Sequence, residues 1–151
     1  MDALDRRIVR VLQQDADLSS DQIGERVHLS ASAVQRRVAK LKRDGVIERI
    51  VAVANPQAAG LPLTIIVEVK VQHEQREALE RFQRWLAASE EVQSCWQVTG
   101  SSDYMLTVAV ADLNAYQRFV EALMTDQSAM VRRYESHVVL KTIKSSLALG
   151  L

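Results

Sequence analysis

Residues 19–45, SSDQIGERVHLSASAVQRRVAKLKRDG, read as two helices joined by a tight turn, the second longer and basic. Ser19 and Gln22 have the S-x-x-Q spacing of a capping box, in which two backbone donors at a helix start are satisfied reciprocally. Ser30 is placed to cap the second helix. Ile23 and Val27 make one apolar stripe, and Val34, Val38 and Leu41 make another at i, i+4, i+7. At about 100° per residue, Ser32, Arg36, Lys40 and Arg43 fall roughly opposite that second stripe. Between Ala31 and Asp44 stand five bases and one acid. Alone, a basic face is an ordinary solvated surface. Behind a capped helix and the short His28-Leu29 turn, it is the outward side of a helix-turn-helix, whose second helix enters the DNA major groove.

Upstream, Leu4, Ile8, Val11 and Leu12 repeat at helical spacing, with Asp2 placed to cap and the helix ending near Asp15. A three-helix unit follows, with a core of Leu4, Ile8, Leu12, Ile23, Val27, Val34, Val38 and Leu41. Gly24 lies inside a helix, where alanine would be favoured by up to about 1 kcal/mol, and is read as a close approach between helices. Gly45 ends the third helix as a C′ glycine. Residues 46–54 are β-branched and strand-like. They serve as a wing, a linker strand or a strand pairing with its copy in a dimer, with the last two favoured. Asn55-Pro56, Gly60 and Pro62 punctuate a connection. The expected organisation is a DNA-binding unit over residues 1–45, a linker strand over 46–61 and a second domain over 62–151.

That second domain changes rhythm. Leu63, Ile65, Val67, Val69 and Val71 alternate with Thr64, Glu68, Lys70 and Gln72, a half-buried strand. Leu79, Phe82 and Leu86 then fall at helical spacing beside Trp85. Strands over 92–99 and 104–111 are joined at Gly100-Ser101-Ser102-Asp103. Asp112 can cap a helix using Leu113, Tyr116, Val120 and Leu123, and a last strand runs over about 131–143. The order βαββαβ predicts an α+β chain: a three-helix helix-turn-helix domain, then a ferredoxin-like domain. Both faces of such a sheet read as fairly apolar while two helices cover only one, so a partner sheet and a homodimer are expected.

The chain has 151 residues, 48% of them apolar and 25% charged, enough for a real core in one or two small domains. Its net charge is zero. The distribution matters more: residues 1–60 carry ten Lys/Arg against eight Asp/Glu, and residues 61–151 nine against eleven. Cys95 is the single cysteine, so neither a disulfide framework nor a thiolate metal site is expected. The opening MDALDRRIVR contains acids and lacks a long apolar run, and no stretch of roughly twenty apolar residues follows. No signal peptide, no membrane span and a cytoplasmic location are therefore expected. Cys95, His28, His73 and His137 have no spacing that makes a nucleophile or metal site, so no metal, cofactor or enzymatic activity is expected.

These residues together resemble the Lrp/AsnC (feast-famine, leucine-responsive) transcription regulators over essentially the whole chain. The first half carries Leu4-Asp5, Ile8, Gln22-Ile23, Val27, Leu29-Ser30, Val34, Arg37-Val38, Leu41 and Gly45-Val46-Ile47. The second carries Val98-Thr99-Gly100-Ser101-Ser102-Asp103-Tyr104-Met105-Leu106, similar to a V-x-G-x-x-D-Y-x-L signature, and a closing Val139-Leu140-Lys141. The resemblance implies a linker strand and a dimerising ferredoxin-like domain. It also implies dimers that assemble to tetramers or octamers, with amino acids bound between dimers. The chain departs from the family pattern at three places: His28 stands where the turn usually has glycine, Asp17 where arginine is common, and Glu48-Arg49-Ile50 where a Gly-Tyr type ending is common.

On this reading Arg36, Lys40 and Arg43 contact double-stranded DNA, with Ser30, Ser32 and Gln35 near the bases. Arg37 flanks the buried face and is either a DNA contact or an internal ion-pair partner. Thr99, Gly100, Ser101, Ser102, Asp103 and Tyr104 form the effector hairpin. There the glycine-led turn offers N–H groups to a carboxylate and Asp103 offers an acceptor to an ammonium; alternatively Asp103 simply closes the turn. Ser136 is a further polar contact. The expected function is a sequence-specific transcription regulator responding to a small effector, an amino acid. The rivals are an architectural DNA-wrapping protein without an effector and an enzyme using Cys95.

Overall fold

A computed structural model of the chain describes residues 1–72, 76–127 and 130–151; His73 lies outside them. Three helices open the chain: α1 (Ala3–Gln14), α2 (Ser20–Val27) and α3 (Ala31–Arg43). Their starts are set locally. Asp2 caps α1 in a reciprocal box with Asp5, the Asp5 N–H reaching Asp2 Oδ1 at 2.8 Å and the Asp2 N–H reaching Asp5 Oδ2 at 3.0 Å. Ser19 and Gln22 form the expected box on α2, at 3.2 and 2.8 Å. The end of α3 is a Schellman motif: the Val46 N–H donates to Leu41 O and the Gly45 N–H to Lys42 O, with Gly45 at φ +71°.

Ile8, Val9, Ile23, Val27, Val34 and Leu41 form the buried core of this unit, with Leu12 and Val38 packed beside them. Val9 turns inward where a stripe through Leu4 was expected, and Leu4 is only half-buried. Gly24 meets the turn rather than a second helix. A Cβ there would sit 2.4 Å from the Leu29 carbonyl oxygen, and the Leu29 N–H donates to Gly24 O at 3.0 Å.

Within a single chain, residues 46–54 form no strand, so the alternative of a strand paired within one chain is not seen, while pairing with a second copy stays an expectation of the dimer. A strand needs a neighbouring segment to complete its ladder, and none of the four strands of the sheet pairs with them. Contacts divide the chain into two compact units, Met1–Val53 with Ile143–Leu151, and Ala54–Thr142. The C-terminal segment belongs to the helical unit because Gln13 reads the backbone of Leu149 in both directions: Leu149 N–H donates to Oε1 at 2.7 Å and Nε2 donates to Leu149 O at 3.3 Å.

The second unit is β1 (Leu63–Val71), α4 (Arg76–Ala88), β2 (Val92–Gln97), β3 (Tyr104–Val110), α5 (Leu113–Asp126) and β4 (Val131–Val138). The sheet order is β2-β3-β1-β4, every pair antiparallel, the ferredoxin-like arrangement. One face holds Ile65, Val67, Val69, Leu106 and Val108 against Phe82 and Leu86 of α4 and Phe119 and Leu123 of α5. Asp112 caps α5, accepting from Ala115 N–H at 2.7 Å. Phe119 rather than Leu113 fills the inward position there, and Leu113 is exposed.

β4 stops at Val138, short of the expected residue 143, because its partner runs out. Ile65 faces Val138, Val139 N–H takes the Thr64 carbonyl, and Pro62 then ends β1. The other face is less apolar than expected. By register it carries Arg133, Glu135 and His137 on β4, Ile66, Glu68 and Lys70 on β1, Met105 on β3 and Trp96 on β2.

Candidate nucleic-acid interface and effector groove

Helix α3 buries Val34 and Leu41 and leaves Ser32, Gln35, Arg36, Lys40 and Arg43 exposed, as the stripe arithmetic requires. Ser30 is the N-cap: its Oγ accepts the Ala33 N–H at 3.3 Å and lies 3.2 Å from Ser32 Oγ. Lys40 Nζ pairs with Asp44 Oδ2 at 3.0 Å one turn on, and Asp44 holds the ammonium above its usual range. Both ends of that pair are exposed, so the contact is weak and exchangeable.

Arg37 takes the internal reading. Its Nη1 lies 2.7 Å from Asp2 Oδ2 and 2.6 Å from Asp5 Oδ1, which ties α3 to the N-cap of α1. Asp5 is buried, so its carboxylate needs partners. The Asp5 N–H first, then the Arg37 guanidinium, holds the Asp2 carboxyl below its ordinary value. For Asp5, the Asp2 N–H leads; burial opposes the shift and Arg37 adds to it. The same contacts raise Arg37.

The β2–β3 loop is bracketed by Val98 N–H donating to Asp103 O and Asp103 N–H donating to Val69 O, both 2.9 Å. That leaves the N–H groups of residues 99–102 outside the ladder, with Gly100 at φ +121°. Thr99, Ser101 and Ser102 line an open groove of about 690 Å³ together with Glu68, Gln97, Val98 and Met105. Asp103 closes the turn: Oδ2 accepts the Val71 N–H at 2.9 Å and Oδ1 the Lys70 ammonium at 3.2 Å.

Two expected residues lie apart from the groove. Tyr104 is buried on the helix-covered face, edge-on to Phe82, with its hydroxyl taking a bond from Gln83 Nε2 at 2.9 Å. Ser136 pairs in register with Val67 on that same covered side and bonds Tyr116 Oη at 2.5 Å. Glu68 was missed. Its Oε2 accepts from Ser102 Oγ at 2.6 Å and its Oε1 lies 3.3 Å from His137 Nε2. The signal available was alternation along β1, which turns Glu68 away from the core.

Cys95 is exposed on edge strand β2, and desolvation by the groups around it pushes its thiol up, away from the thiolate a nucleophile needs. Among the described residues, no cluster of three His, Cys, Asp or Glu could hold a metal, and no helix is long and apolar enough to cross a membrane.

Family models for the AsnC-type helix-turn-helix domain and the Lrp/AsnC ligand binding domain match residues 1–42 and 64–149. The chain belongs to the Lrp/AsnC family. It is 31% identical to the leucine-responsive regulatory protein of Escherichia coli over 147 residues, covering 97% of this chain and 88% of that one. It is 35% identical to the DNA-binding transcriptional activator DecR of Escherichia coli over 124 residues, covering 82% of each. A Neisseria meningitidis transcriptional regulator solved in complex with L-Met superposes with a TM-score of 0.93 at 32% identity, covering 99% of this chain and 96% of that one. As an Lrp/AsnC protein, the chain is a helix-turn-helix transcription regulator rather than an enzyme.

Proposed function

We propose that the chain regulates transcription from the cytoplasm as a homo-oligomer, dimers assembling to tetramers or octamers. Ser32, Gln35, Arg36, Lys40 and Arg43 meet double-stranded DNA, Ser30 sets the start of the reading helix, and Arg37 contributes by fixing that helix to α1. An amino acid at residues 99–102 shifts the assembly and with it the spacing of the paired reading helices. The functional division is residues 1–45 for DNA binding, 46–61 as linker and 62–151 for sensing and dimerisation, the tail from residue 143 grouping with the helical unit and the linker acquiring a strand partner only in the dimer.

The observation that supports this most is the exposure of Arg36, Lys40 and Arg43 on a helix whose opposite side, Val34 and Leu41, is buried. For the effector, the support is the open groove beside loop N–H groups left outside the ladder. The test is oligomeric mass and duplex affinity, measured with and without each standard amino acid. At least one amino acid is expected to change both. A monomer under all conditions contradicts the proposal; long DNA footprints with no amino-acid response favour the architectural reading instead.

A further inference from the structure

An α-amino acid brings a carboxylate and an ammonium to any site that holds it, and the groove at the β2–β3 loop must supply a partner for each. The carboxylate has the loop N–H groups of residues 99–102, which the ladder does not use. For the ammonium, the signature aspartate is poorly placed. Asp103 already accepts the Val71 N–H at 2.9 Å and pairs with Lys70 at 3.2 Å, so its charge is compensated and its oxygens are tied to the strand it closes.

Glu68 is in the opposite condition. It lines the groove itself, and the lysine two residues along its strand is turned to Asp103 rather than to it. Ser102 Oγ donates to Oε2 at 2.6 Å, a neutral donor that orients the carboxylate without cancelling its charge. His137 Nε2, 3.3 Å from Oε1, supplies a charge only when protonated. Each carboxylate oxygen can accept more than one bond, so both keep acceptor capacity. An oriented anion beside backbone donors is a two-ended match to a zwitterion, while Val98 and Met105 give the same groove an apolar wall.

We propose that Glu68, not Asp103, receives the ammonium of the effector, and that Val98 and Met105 favour an effector with an apolar side chain. The proposal rests on the amino-acid reading above and deepens it. Ser102 and His137 are positioning residues for the Glu68 carboxylate.

The test is a thermal-shift titration of the full chain with L-methionine and L-leucine, alongside their N-acetyl forms, which have the carboxylate but no ammonium. Wild-type protein is expected to be stabilised by the free amino acids and not by the N-acetyl forms. Glu68→Gln is expected to weaken the response by roughly tenfold or more, the loss of one charge-assisted hydrogen bond. Ser102→Ala and His137→Ala keep the anion while removing its supports, and are expected to lose clearly less. If Glu68→Gln responds like wild type, the acceptor lies elsewhere and the inference fails while the amino-acid reading stands. An equal loss in all three variants, or an equal response to the N-acetyl forms, also overturns it. If wild type answers to no standard amino acid, the amino-acid reading itself fails and takes this inference with it.

Discussion

Gly24→Ala sets two magnitudes against each other at the turn that fixes the reading helix. In an open helix interior the change is favourable by about 1 kcal/mol, the helix propensity gap between the two residues. Here the new Cβ would lie 2.4 Å from Leu29 O, about 1 Å inside ordinary contact. The obstacle is backbone, so no side-chain rotamer relieves it. The same turn is held from the other side by the Leu29 N–H bond to Gly24 O at 3.0 Å. Overpacking of this kind costs roughly 1–3 kcal/mol, and a rigid obstacle belongs at the upper end. Net destabilisation of about 2 kcal/mol is expected, which for a unit this small lowers its melting by roughly 8–16 °C. The assay is thermal unfolding followed by far-ultraviolet circular dichroism, to which α1–α3 and the helices of the second unit both contribute, with duplex affinity, which reports on α3, measured on the same samples. Affinity is expected to fall as well, because moving Leu29 moves the start of α3. A variant that melts at or above wild type would mean the propensity gain acts unopposed, and the close approach would be refuted.

Three further outcomes follow from the same geometry. His28 holds the left-handed conformation at φ 60°, ψ 51°, so His28→Gly is expected to stabilise the helical unit by about 1 kcal/mol, read as a denaturant midpoint; an unchanged midpoint would show the residue is unstrained. Arg37→Met should destabilise the protein at neutral pH. Because the Asp2 and Asp5 carboxyls sit below their ordinary value of 3.8 in the fold, their contribution is present above that pH and is lost as pH falls through the lowered values. The midpoints of variant and wild type should therefore converge in acid, and a gap independent of pH would deny the ion pair. Glu68→Gln should weaken the thermal-shift response to free amino acids by roughly tenfold or more, as set out above.

Local chemistry made the helical unit readable from sequence. Two of its caps are reciprocal boxes, Asp2 with Asp5 and Ser19 with Gln22, and its third helix closes on Gly45; each is written within a few residues. What sequence patterning missed depends on partners far along the chain. Val9 turns inward because of how α1 meets its neighbours, and residues 143–151 join the helical unit through Gln13, more than a hundred positions away. Strand alternation gave Glu68 an outward direction without saying what stood across from it. Only the antiparallel register brings Ser102 and His137 to Glu68, and the same register sends Tyr104 and Ser136 to the covered face. Asp103 was the reverse case: the V-x-G-x-x-D pattern marked the residue, but only its bonds to Val71 and Lys70 identify it as the closure of the turn. Residues 46–54 have the composition of a strand, and composition cannot supply a partner to pair with.

The measurement that bears most directly on the DNA-reading role of α3 is the salt dependence of duplex binding, followed by fluorescence anisotropy for wild type, Arg36→Ala and Arg43→Ala. Each phosphate contact contributes roughly 0.9 to the slope of log affinity against log salt. Wild type is expected to bind duplex DNA tightly at low ionic strength and to weaken steeply as salt rises. Each substitution should flatten the slope by about 0.9 for every copy of the residue that touches phosphate. Absence of binding at low salt, or slopes and affinities untouched by both substitutions, would contradict the claim that the basic face of α3 is what meets DNA.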